Sequence, residues 1–558
     1  MPLRRSASRA RAPWRRAALA VVAVAAGATA VGAPGGLTRA TPAAAATTGT
    51  IHTVSPNASV KQAPVHAAAS SRQRGSLPTR STRGAAVRSN QVPHTNSGPV
   101  STSTVLGNFN GVGSLDSAKT NYGAPFEPPD QGLCEGNGFV LEAVNSAYTV
   151  YTTAGNVVVG PYNVNDLFNE GGYEFTSDPR CFYDASSNRW FTLILFISGG
   201  GGGTQSHFDL GVSTSGDPSK FFNFYQVDTT ETTTTNNGCP CFGDQPLFGI
   251  DQYNVYVSTN EFSILGPNFN GAQVYALDKT NMLAGASATV DHFSAPDPAT
   301  GVQAASLQPA ASIGAANAEY LLSSLDPNST TDNRVAVWAI TNRDLHNGQT
   351  PVLSSTVITS EPYAFPVPAV QKGAASFITQ NDDRMQQTES IGGSVYGELE
   401  TALTVGNDST VRDGAAWFKV QPTITGTTIS GAVMQQQGYV ASAGNYVLYP
   451  ALAADGRGRA AMVFTLTGAN HFPSAAYAVL GLGESNFRAP AIAADGIGAY
   501  HPNPTRPADR WGDYSYSLFD TVSHTFWFAT EYIPPKSSQT TNNQRNWGTR
   551  VFQVLVSN

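Results

Sequence analysis

Five aspartates recur along this 558-residue chain, each just ahead of a strand-like segment: Asp130, Asp178, Asp244, Asp383 and Asp513. If each stands where a strand begins, the carboxyl groups converge at one end of a ring of strands. Glycoside hydrolysis needs such an arrangement, because one acid protonates the leaving oxygen and a second carboxylate about 5 to 9 Å away acts as base or nucleophile. These five aspartates are therefore candidate catalytic residues.

Two other roles are open for the same aspartates. An aspartate at the start of a strand commonly holds a turn by accepting hydrogen bonds from nearby backbone N–H groups, so a repeated position can be a repeated turn. Acidic loops also bind divalent cations, with Ca²⁺ as the candidate cofactor, although the sequence leaves the ligands of any metal unknown. Turn formation, carbohydrate chemistry and cation binding thus remain three alternatives.

Three arginines accompany the aspartates and are candidate binding residues. Arg180, Arg384 and Arg510 each lie within three residues of one of them. Guanidinium groups bind carboxylates in a two-pronged geometry, so the three could hold an acidic ligand. Arg510 precedes Trp511, however, and an arginine stacked on an aromatic ring inside a sheet explains that pair equally well.

The spacing of this strand-start motif indicates a repeated element. With Tyr449-Pro450 included, the motif recurs mostly at intervals of 48 to 67 residues, and Gln308-Pro309 divides the one longer gap. Residues 178–184 and 190–196 flank a polar turn, as do residues 244–251 and 255–259, which predicts hairpins. A repeat of this length is typical of propeller blades with inserted loops.

We therefore predict an all-β fold: a single β-propeller of about seven four-stranded antiparallel blades, with six as the alternative. The blades are expected to start near residues 130, 178, 244, 308, 382, 449 and 512. Residues 103–109 would complete the last blade beside residues 550–555, which closes the ring and removes its open edge. The six tryptophans at positions 190, 338, 417, 511, 527 and 547 are expected to pack between the sheets.

Several segments resemble a large group of exported bacterial β-propeller proteins of uncharacterised function, within the sialidase-like superfamily. The similar segments are residues 178–190, 211–218, 257–262, 472–474, 510–515, 526–532 and 546–550, within a resemblance that spans about 105–556. The resemblance implies the fold and little about activity. Sialidase blades carry Ser-x-Asp-x-Gly-x-x-Trp turns, and this sequence has none, which argues against sialidase activity.

The N-terminal region predicts export. Residues 1–100 carry thirteen Lys or Arg and no Asp or Glu, so the net charge of −7 becomes −20 over residues 101–558. Paired Arg15-Arg16 before the apolar run 17–26 indicates a signal peptide, with the twin-arginine route open, and the run is too short for a membrane span. We predict a signal peptide at 1–46, a disordered Ala/Ser/Arg-rich linker at 47–95 and the propeller at 96–558.

Cysteine usage agrees with a secreted protein. Cys134, Cys181, Cys239 and Cys241 all lie near the strand-start motif, and exported thiols oxidise, so two disulfides between adjacent blades are expected. A thiolate metal site at Cys239-Pro-Cys241 is the alternative, whereas a direct bridge between these two would need unusual geometry. The nine histidines show no ligand spacing, and His207 is expected at the surface or in a turn.

These observations favour a secreted scaffold that recognises an extracellular glycan or protein. A secreted glycoside hydrolase or lyase that uses the axial carboxylates is the alternative. The acidic body disfavours nucleic acid as a partner, and we expect a monomer. Whether the protein is an enzyme stays open at this point.

Overall fold

β-strands make up 60% of the residues that the structure describes, and they assemble as a β-propeller. The structure is a computed structural model that describes residues 46–55, 57–58, 87–89 and 101–557, except 122, 124, 172–173, 199–204, 233–238, 267, 326, 328–330, 501–506 and 540–544. The predicted signal peptide lies outside the described residues apart from its last position. Among the described residues, no helix combines the length and apolar character needed to cross a membrane.

The N-terminal elements are β1 (Thr47–Thr48), β2 (Thr50–Val54), β3 (Asn57–Ala58), β4 (Val87–Ser89), β5 (Thr102–Gly113) and helix α1 (Ser114–Thr120). They are followed by β6 (Gly132–Gly136), β7 (Phe139–Val144), β8 (Ala147–Thr152), β9 (Val157–Tyr162), helix α2 (Val164–Phe168), β10 (Phe175–Asp184), β11 (Arg189–Ile197), β12 (Ser206–Ser213) and β13 (Phe222–Asp228). These last eight strands form two successive antiparallel sheets.

The middle of the chain contains β14 (Cys241–Ile250), β15 (Asn254–Ser263), β16 (Phe269–Asp278), helix α3 (Lys279–Leu283), β17 (Ala288–Ser294), β18 (Gln308–Pro309), β19 (Ala311–Ile313), β20 (Glu319–Ser324), β21 (Asp332–Thr341), β22 (Val352–Tyr363) and β23 (Phe377–Thr379). The C-terminal part contains β24 (Met385–Ile391), β25 (Ser394–Val405), β26 (Asp408–Thr425), β27 (Thr428–Val440), β28 (Asn445–Ala454), β29 (Ala460–Gly468), β30 (His471–Leu480), β31 (Ala491–Ala494), β32 (Ala508–Arg510), β33 (Tyr516–Asp520), β34 (Thr525–Tyr532), a 3-10 turn (Lys536–Ser538) and β35 (Gly548–Ser557).

Most strands pair into four-stranded antiparallel units. In chain order, units 1 to 7 are β6–β9, β10–β13, β14–β17, β18 with β20–β22, β24–β27, β28–β31, and β33–β35 with β5. Five of the units are blades that each form a separate sheet: units 1, 2, 4, 6 and 7. Units 3 and 5 belong to one eleven-stranded sheet, in which β19 pairs in parallel with both β14 and β24. The prediction of an all-β propeller is confirmed, with five blades that form separate sheets.

The first strands of the units line a central axis. Each contacts the next in the order β6, β10, β14, β18, β24, β28 and β33, and β33 contacts β6. Apolar clusters fill the spaces between neighbouring units, as in the cluster of Phe191 and Tyr225 from unit 2 with Val257 and Tyr275 from unit 3. The six tryptophans expected in the core are all fully buried.

The last unit is completed by strands from both ends of the described ring. β5 pairs antiparallel with β35 as its outer strand, with Val105 opposite Val554 and Thr104 opposite Leu555. This confirms the predicted closure by residues 103–109. Both hairpins predicted from sequence are also present, as β10–β11 and β14–β15.

Short strands from the predicted linker lie on the outer edges of the ring. β1 pairs with β22, β2 with β17 and β3 with β13, each the outermost strand of its unit, while β4 pairs in parallel with β25. An open sheet edge offers unpaired N–H and C=O groups that an extended chain can bind, so these parts of the 47–95 segment are strands. The remaining residues of that segment lie outside the described ranges, and the domain boundaries stay predictions.

All four cysteines are paired, one pair as expected and one not. Cys134 of β6 and Cys181 of β10 form a disulfide that links units 1 and 2. The expectation that Cys239 and Cys241 would not bridge each other is wrong, because these two residues form the second disulfide. Their Cα atoms are 4.5 Å apart, within the span that a disulfide joins. The alternative of a thiolate metal site at these cysteines is therefore also excluded.

Candidate functional site

Two of the predicted aspartates, Asp178 and Asp244, lie at a bulge of a first strand. The register shifts between Ser177 and Arg180 in β10, and equivalent bulges occur in β14 and β28. Residues in the left-handed backbone region accompany this feature: Asp130 (φ 47°), Asp178 (φ 60°), Gln245 (φ 53°), Ser306 (φ 46°) and Tyr449 (φ 50°). Aspartate and asparagine tolerate this region better than most residues. In β10, β14 and β28 the sequence motif thus coincides with a backbone bulge.

Two asparagines, Asn145 just after β7 and Asn260 in β15, bind the backbone of the segment that leads into the next unit. Asn145 Nδ2 donates to Asp130 Oδ2 at 2.7 Å, and Asn145 Oδ1 accepts from the backbone N–H of Asp178 at 2.8 Å. In unit 3, Asn260 Oδ1 likewise accepts from the backbone N–H of Ser306 at 2.8 Å. Asp130 and Asp178 are therefore part of the joint between units 1 and 2.

Groups from three units meet around Arg180. The Arg180 guanidinium carbon lies 3.5 Å from the centroid of the Tyr514 ring, a cation–π contact between units 2 and 7. Arg180 Nε also donates to the Pro246 carbonyl oxygen of unit 3 at 3.2 Å. The Tyr514 hydroxyl donates to Asp178 Oδ2 at 3.5 Å. Arg180 therefore has partners from the protein itself on two sides.

The other two candidate binding arginines are paired with neighbouring carboxylates. Arg384 donates from Nε and Nη2 to both Asp382 oxygens, at 2.6 and 2.5 Å, and its Nη1 donates to Gln245 Oε1. Arg510 Nη2 donates to Asp513 Oδ2. An acidic ligand at either arginine would have to compete with Asp382 or Asp513 for the guanidinium group.

All five candidate catalytic aspartates are buried: Asp130, Asp178, Asp244, Asp383 and Asp513. Asp130 and Asp513 lie close to Glu531, whose pKa is raised well above its usual value by burial first and then by these two carboxylates. Asp244 Oδ1 accepts from the backbone N–H of Gln245 at 2.8 Å, and Asp383 stands just ahead of β24 in unit 5. All five are thus buried, and Asp130 and Asp513 share Glu531 as a neighbour.

A cavity of about 840 Å³ opens at the opposite end of the first strands. Its walls come from the closing residues of β6, β10, β14, β24 and β33, together with β19. The aromatic lining consists of Phe182, Tyr183, Tyr516 and Phe519, and the acidic lining of Glu135, Asp184, Asp251, Glu389 and Asp520. Sequence reasoning placed the candidate chemistry at the starts of these strands and missed this end.

Two carboxyl groups of the cavity have pKa values displaced in opposite directions. Burial raises the pKa of Glu135 to about 8, and Asp520 adds to the rise. Burial acts to raise the pKa of Asp184 as well, but Lys279 Nζ lies 2.8 Å from Asp184 Oδ2 and holds that pKa below its usual value. These opposite shifts favour the protonated form of Glu135 and the ionised form of Asp184, the division of roles that acid–base chemistry requires.

The same carboxyl groups surround one phenol. The pKa of Tyr183 is raised by burial first and then by Asp184, Glu135 and Asp520. The Tyr183 hydroxyl donates to Asn188 Oδ1 at 2.9 Å, and its ring lies 4.8 Å from the ring of the buried Trp190. Tyr183 is thus held by the hairpin of unit 2 with the three acids about it.

One group of side chains in the described part of the chain has the geometry of a cation site. Glu170, His207 and Asp209 each offer a ligand atom within 4.8 Å of the other two. His207 belongs to strand β12 and not to a turn, and its side chain is 16% exposed. The signal available in the sequence is His-x-Asp, because alternate residues of a strand share one face.

Comparison with known proteins gives structural likeness only. No protein-family model matches the chain, and no curated protein matches it. An α-L-arabinanase of Cellvibrio cellulosa matches at 8% identity and TM-score 0.28, covering 64% of this chain and 94% of its own. A Trypanosoma rangeli sialidase matches at 9% identity and TM-score 0.30, covering 82% of this chain and 60% of its own. An exo-β-1,3-galactanase of Clostridium thermocellum matches at 12% identity and TM-score 0.28, covering 82% of this chain and 100% of its own.

Proposed function

We propose that this chain is an extracellular scaffold that recognises a glycan in the cavity formed by the closing ends of the first strands. The observation that carries this proposal is the cavity itself. Its volume of about 840 Å³ lies in the range of small-molecule sites, about 300 to 1,000 Å³. Four aromatic rings and five carboxyl groups line it, together with amide and hydroxyl side chains. A sugar needs both an apolar surface for its C–H faces and polar partners for its hydroxyls.

The proposal also includes a ring of seven blades and export of the protein from the cytoplasm. The closed order of contacts from β6 round to β33 and back supports counting units 3 and 5 as two further blades beside the five separate ones. The two disulfides support an extracytoplasmic location, since thiols oxidise outside the reducing cytosol.

The binding test uses the purified full chain and a panel of oligosaccharides, with affinity measured by calorimetry. Tyr183→Ala removes the ring around which the cavity carboxyl groups cluster, and we expect binding to weaken by about tenfold or more. Tyr162→Ala is the matched control, because Tyr162 is a half-exposed tyrosine of unit 1 outside the cavity lining. The proposal would be overturned if the folded parent bound none of the sugars, or if both variants lost affinity equally.

A second function, cleavage of the bound glycan, is favoured by the opposite displacement of the Glu135 and Asp184 pKa values. A protonated Glu135 can donate to a leaving oxygen while an ionised Asp184 acts as base or nucleophile. Reducing-sugar release by the parent and its loss in Glu135→Gln would establish this activity in the cavity. Loss in folded Asp178→Asn or Asp244→Asn, with Glu135→Gln active, would place it at the predicted axial carboxylates instead.

A further inference from the structure

A second cluster of ionisable groups lies in unit 2, away from the cavity lining. Glu170 follows helix α2 in the connection between units 1 and 2, while His207 and Asp209 belong to β12. His207 and Asp209 are alternate residues of one strand, so their side chains project from the same face. Gln226 of β13 is paired directly opposite Asp209.

Packing fixes the orientation of the His207 ring. The imidazole stacks on Phe196, with ring centroids 4.2 Å apart and planes 14° from parallel. Its Nε2 atom points into the cluster, 3.1 Å from Glu170 Oε1 and 3.5 Å from Asp209 Oδ2. Gln226 Nε2 lies 3.0 Å from the same nitrogen. A ring nitrogen carries at most one hydrogen, so it cannot serve these three neighbours with three hydrogen bonds.

Asp209 supplies an independent observation. Its side chain is 4% exposed, and its Oδ2 atom receives no hydrogen bond from the described residues. Its other oxygen, Oδ1, lies 3.4 Å from Gln226 Nε2. Buried carboxylate oxygens are normally satisfied, because desolvation without a partner is costly. An unsatisfied oxygen that faces a carboxylate and an imidazole nitrogen indicates that a partner belongs between them.

We propose that Glu170, His207 and Asp209 bind a divalent transition-metal ion, with Zn²⁺ as the ion that best fits one imidazole and two carboxylates. One nitrogen and two oxygens make three protein ligands, and a water or the Gln226 amide oxygen, turned toward the ion, completes four-coordination. The three ligand atoms already lie within 4.8 Å of one another, so side-chain rotation alone is enough to bring them to a common ion. The ion would fasten the segment after α2 to the third strand of unit 2.

The test is Zn²⁺ binding by the full chain after treatment with a chelator. Calorimetry with Zn²⁺ alone is expected to give one site per chain, and Co²⁺ is expected to give the visible absorption of a four-coordinate ion at the same stoichiometry. His207→Ala and Glu170→Gln should weaken Zn²⁺ binding by about 100-fold or more, since each removes a ligand.

His292→Ala is the matched control. His292 also stacks on an aromatic ring, Tyr275, at 4.5 Å, and it hydrogen-bonds Gln273 Oε1 at 2.8 Å. It lies outside the cluster, so its replacement should leave Zn²⁺ affinity within about twofold of the parent. Glu170→Gln covers the case in which His207→Ala fails to fold, because Glu170 lies in a connection and not in a strand. Absence of a Zn²⁺ site in the parent, or unchanged affinity in folded Glu170→Gln, would overturn the proposal.

Discussion

At the scale of single residues, buried carboxyl groups join neighbouring units. Glu142 of β7 is fully buried, and its Oε2 accepts from the backbone N–H of Val112 in β5 at 2.8 Å. Glu400 of β25 accepts in the same way from the backbone N–H of Tyr449 in β28. Burial raises the pKa of Glu142 to about 7 and that of Glu400 well above its usual value. These joints therefore use carboxyl groups that favour the neutral form.

Stability is expected to depend on pH through Glu142. The unfolded carboxyl titrates near 4.5 and the folded one at about 7, so the folded state retains a proton that the unfolded state has lost. Its stabilisation is fully present below pH 4.5 and is lost as pH rises to about 7, with an upper limit of about 3 kcal/mol. Glu142→Gln should flatten the fall in melting temperature over this range, whereas exposed Glu174→Gln should not. A parent and a Glu142→Gln variant with parallel pH profiles would contradict this assignment.

Sequence reasoning could find some of these residues and not others. Asp130 and Asp178 were accessible because an aspartate recurs just ahead of, or at the start of, several first strands. Glu135 and Asp184 were not, because their pKa values depend on Asp520 and Lys279, which only the closed ring brings beside them. Whether the five axial aspartates are catalytic stays a prediction.

At the scale of elements, two disulfides act over very different lengths of chain. Cys134–Cys181 joins the first strands of units 1 and 2 across a sequence separation of 47, whereas Cys239–Cys241 spans a separation of 2. The prediction of bridges between adjacent blades held for the first pair, because the first strands of neighbouring units lie side by side. It failed for the second pair, because Cys239 bonds to Cys241, two residues away in the same segment, and not to a cysteine of another unit.

Replacing each pair by serines should separate these contributions. In the chain-entropy model, loss of Cys134–Cys181 costs about 4 kcal/mol of unfolding free energy, and loss of Cys239–Cys241 costs less than about 2 kcal/mol. The check is denaturant unfolding of the two double variants, Cys134→Ser with Cys181→Ser and Cys239→Ser with Cys241→Ser, under identical conditions. Equal destabilisation by the two would show that Cys134–Cys181 does not hold units 1 and 2 together.

At the scale of the whole molecule, the ring depends on β5 as the outer strand of unit 7. The strands β1 to β4 add to outer edges that are already four strands deep, or to one end of β25, so they are not needed for closure. The sequence allowed β5 to be predicted because this strand-like segment precedes the first repeat and has no neighbouring segment in the chain with which to form a hairpin. It did not show the edge pairing of β1 to β3, because strands this short lack a recognisable pattern.

Two truncations should therefore behave differently. Deletion of residues 2–100 keeps β5 and is expected to leave a monomer with a melting temperature close to that of the full chain. Deletion of residues 2–113 exposes the edge of β35 and should give association in size-exclusion chromatography and a lower melting temperature. Similar behaviour of the two proteins would show that β5 is dispensable for closing the ring.

The pairing of β5 with β35 also orders events during synthesis. β5 ends at Gly113 and its partner begins at Gly548, so the N-terminal strand leaves the ribosome long before its partner exists. The four strands of each of units 1 to 6 follow one another closely along the chain, but unit 7 must wait for β35. Until then β5 has no partner, and we expect proteolysis and misassociation of the nascent protein to be concentrated at this seam.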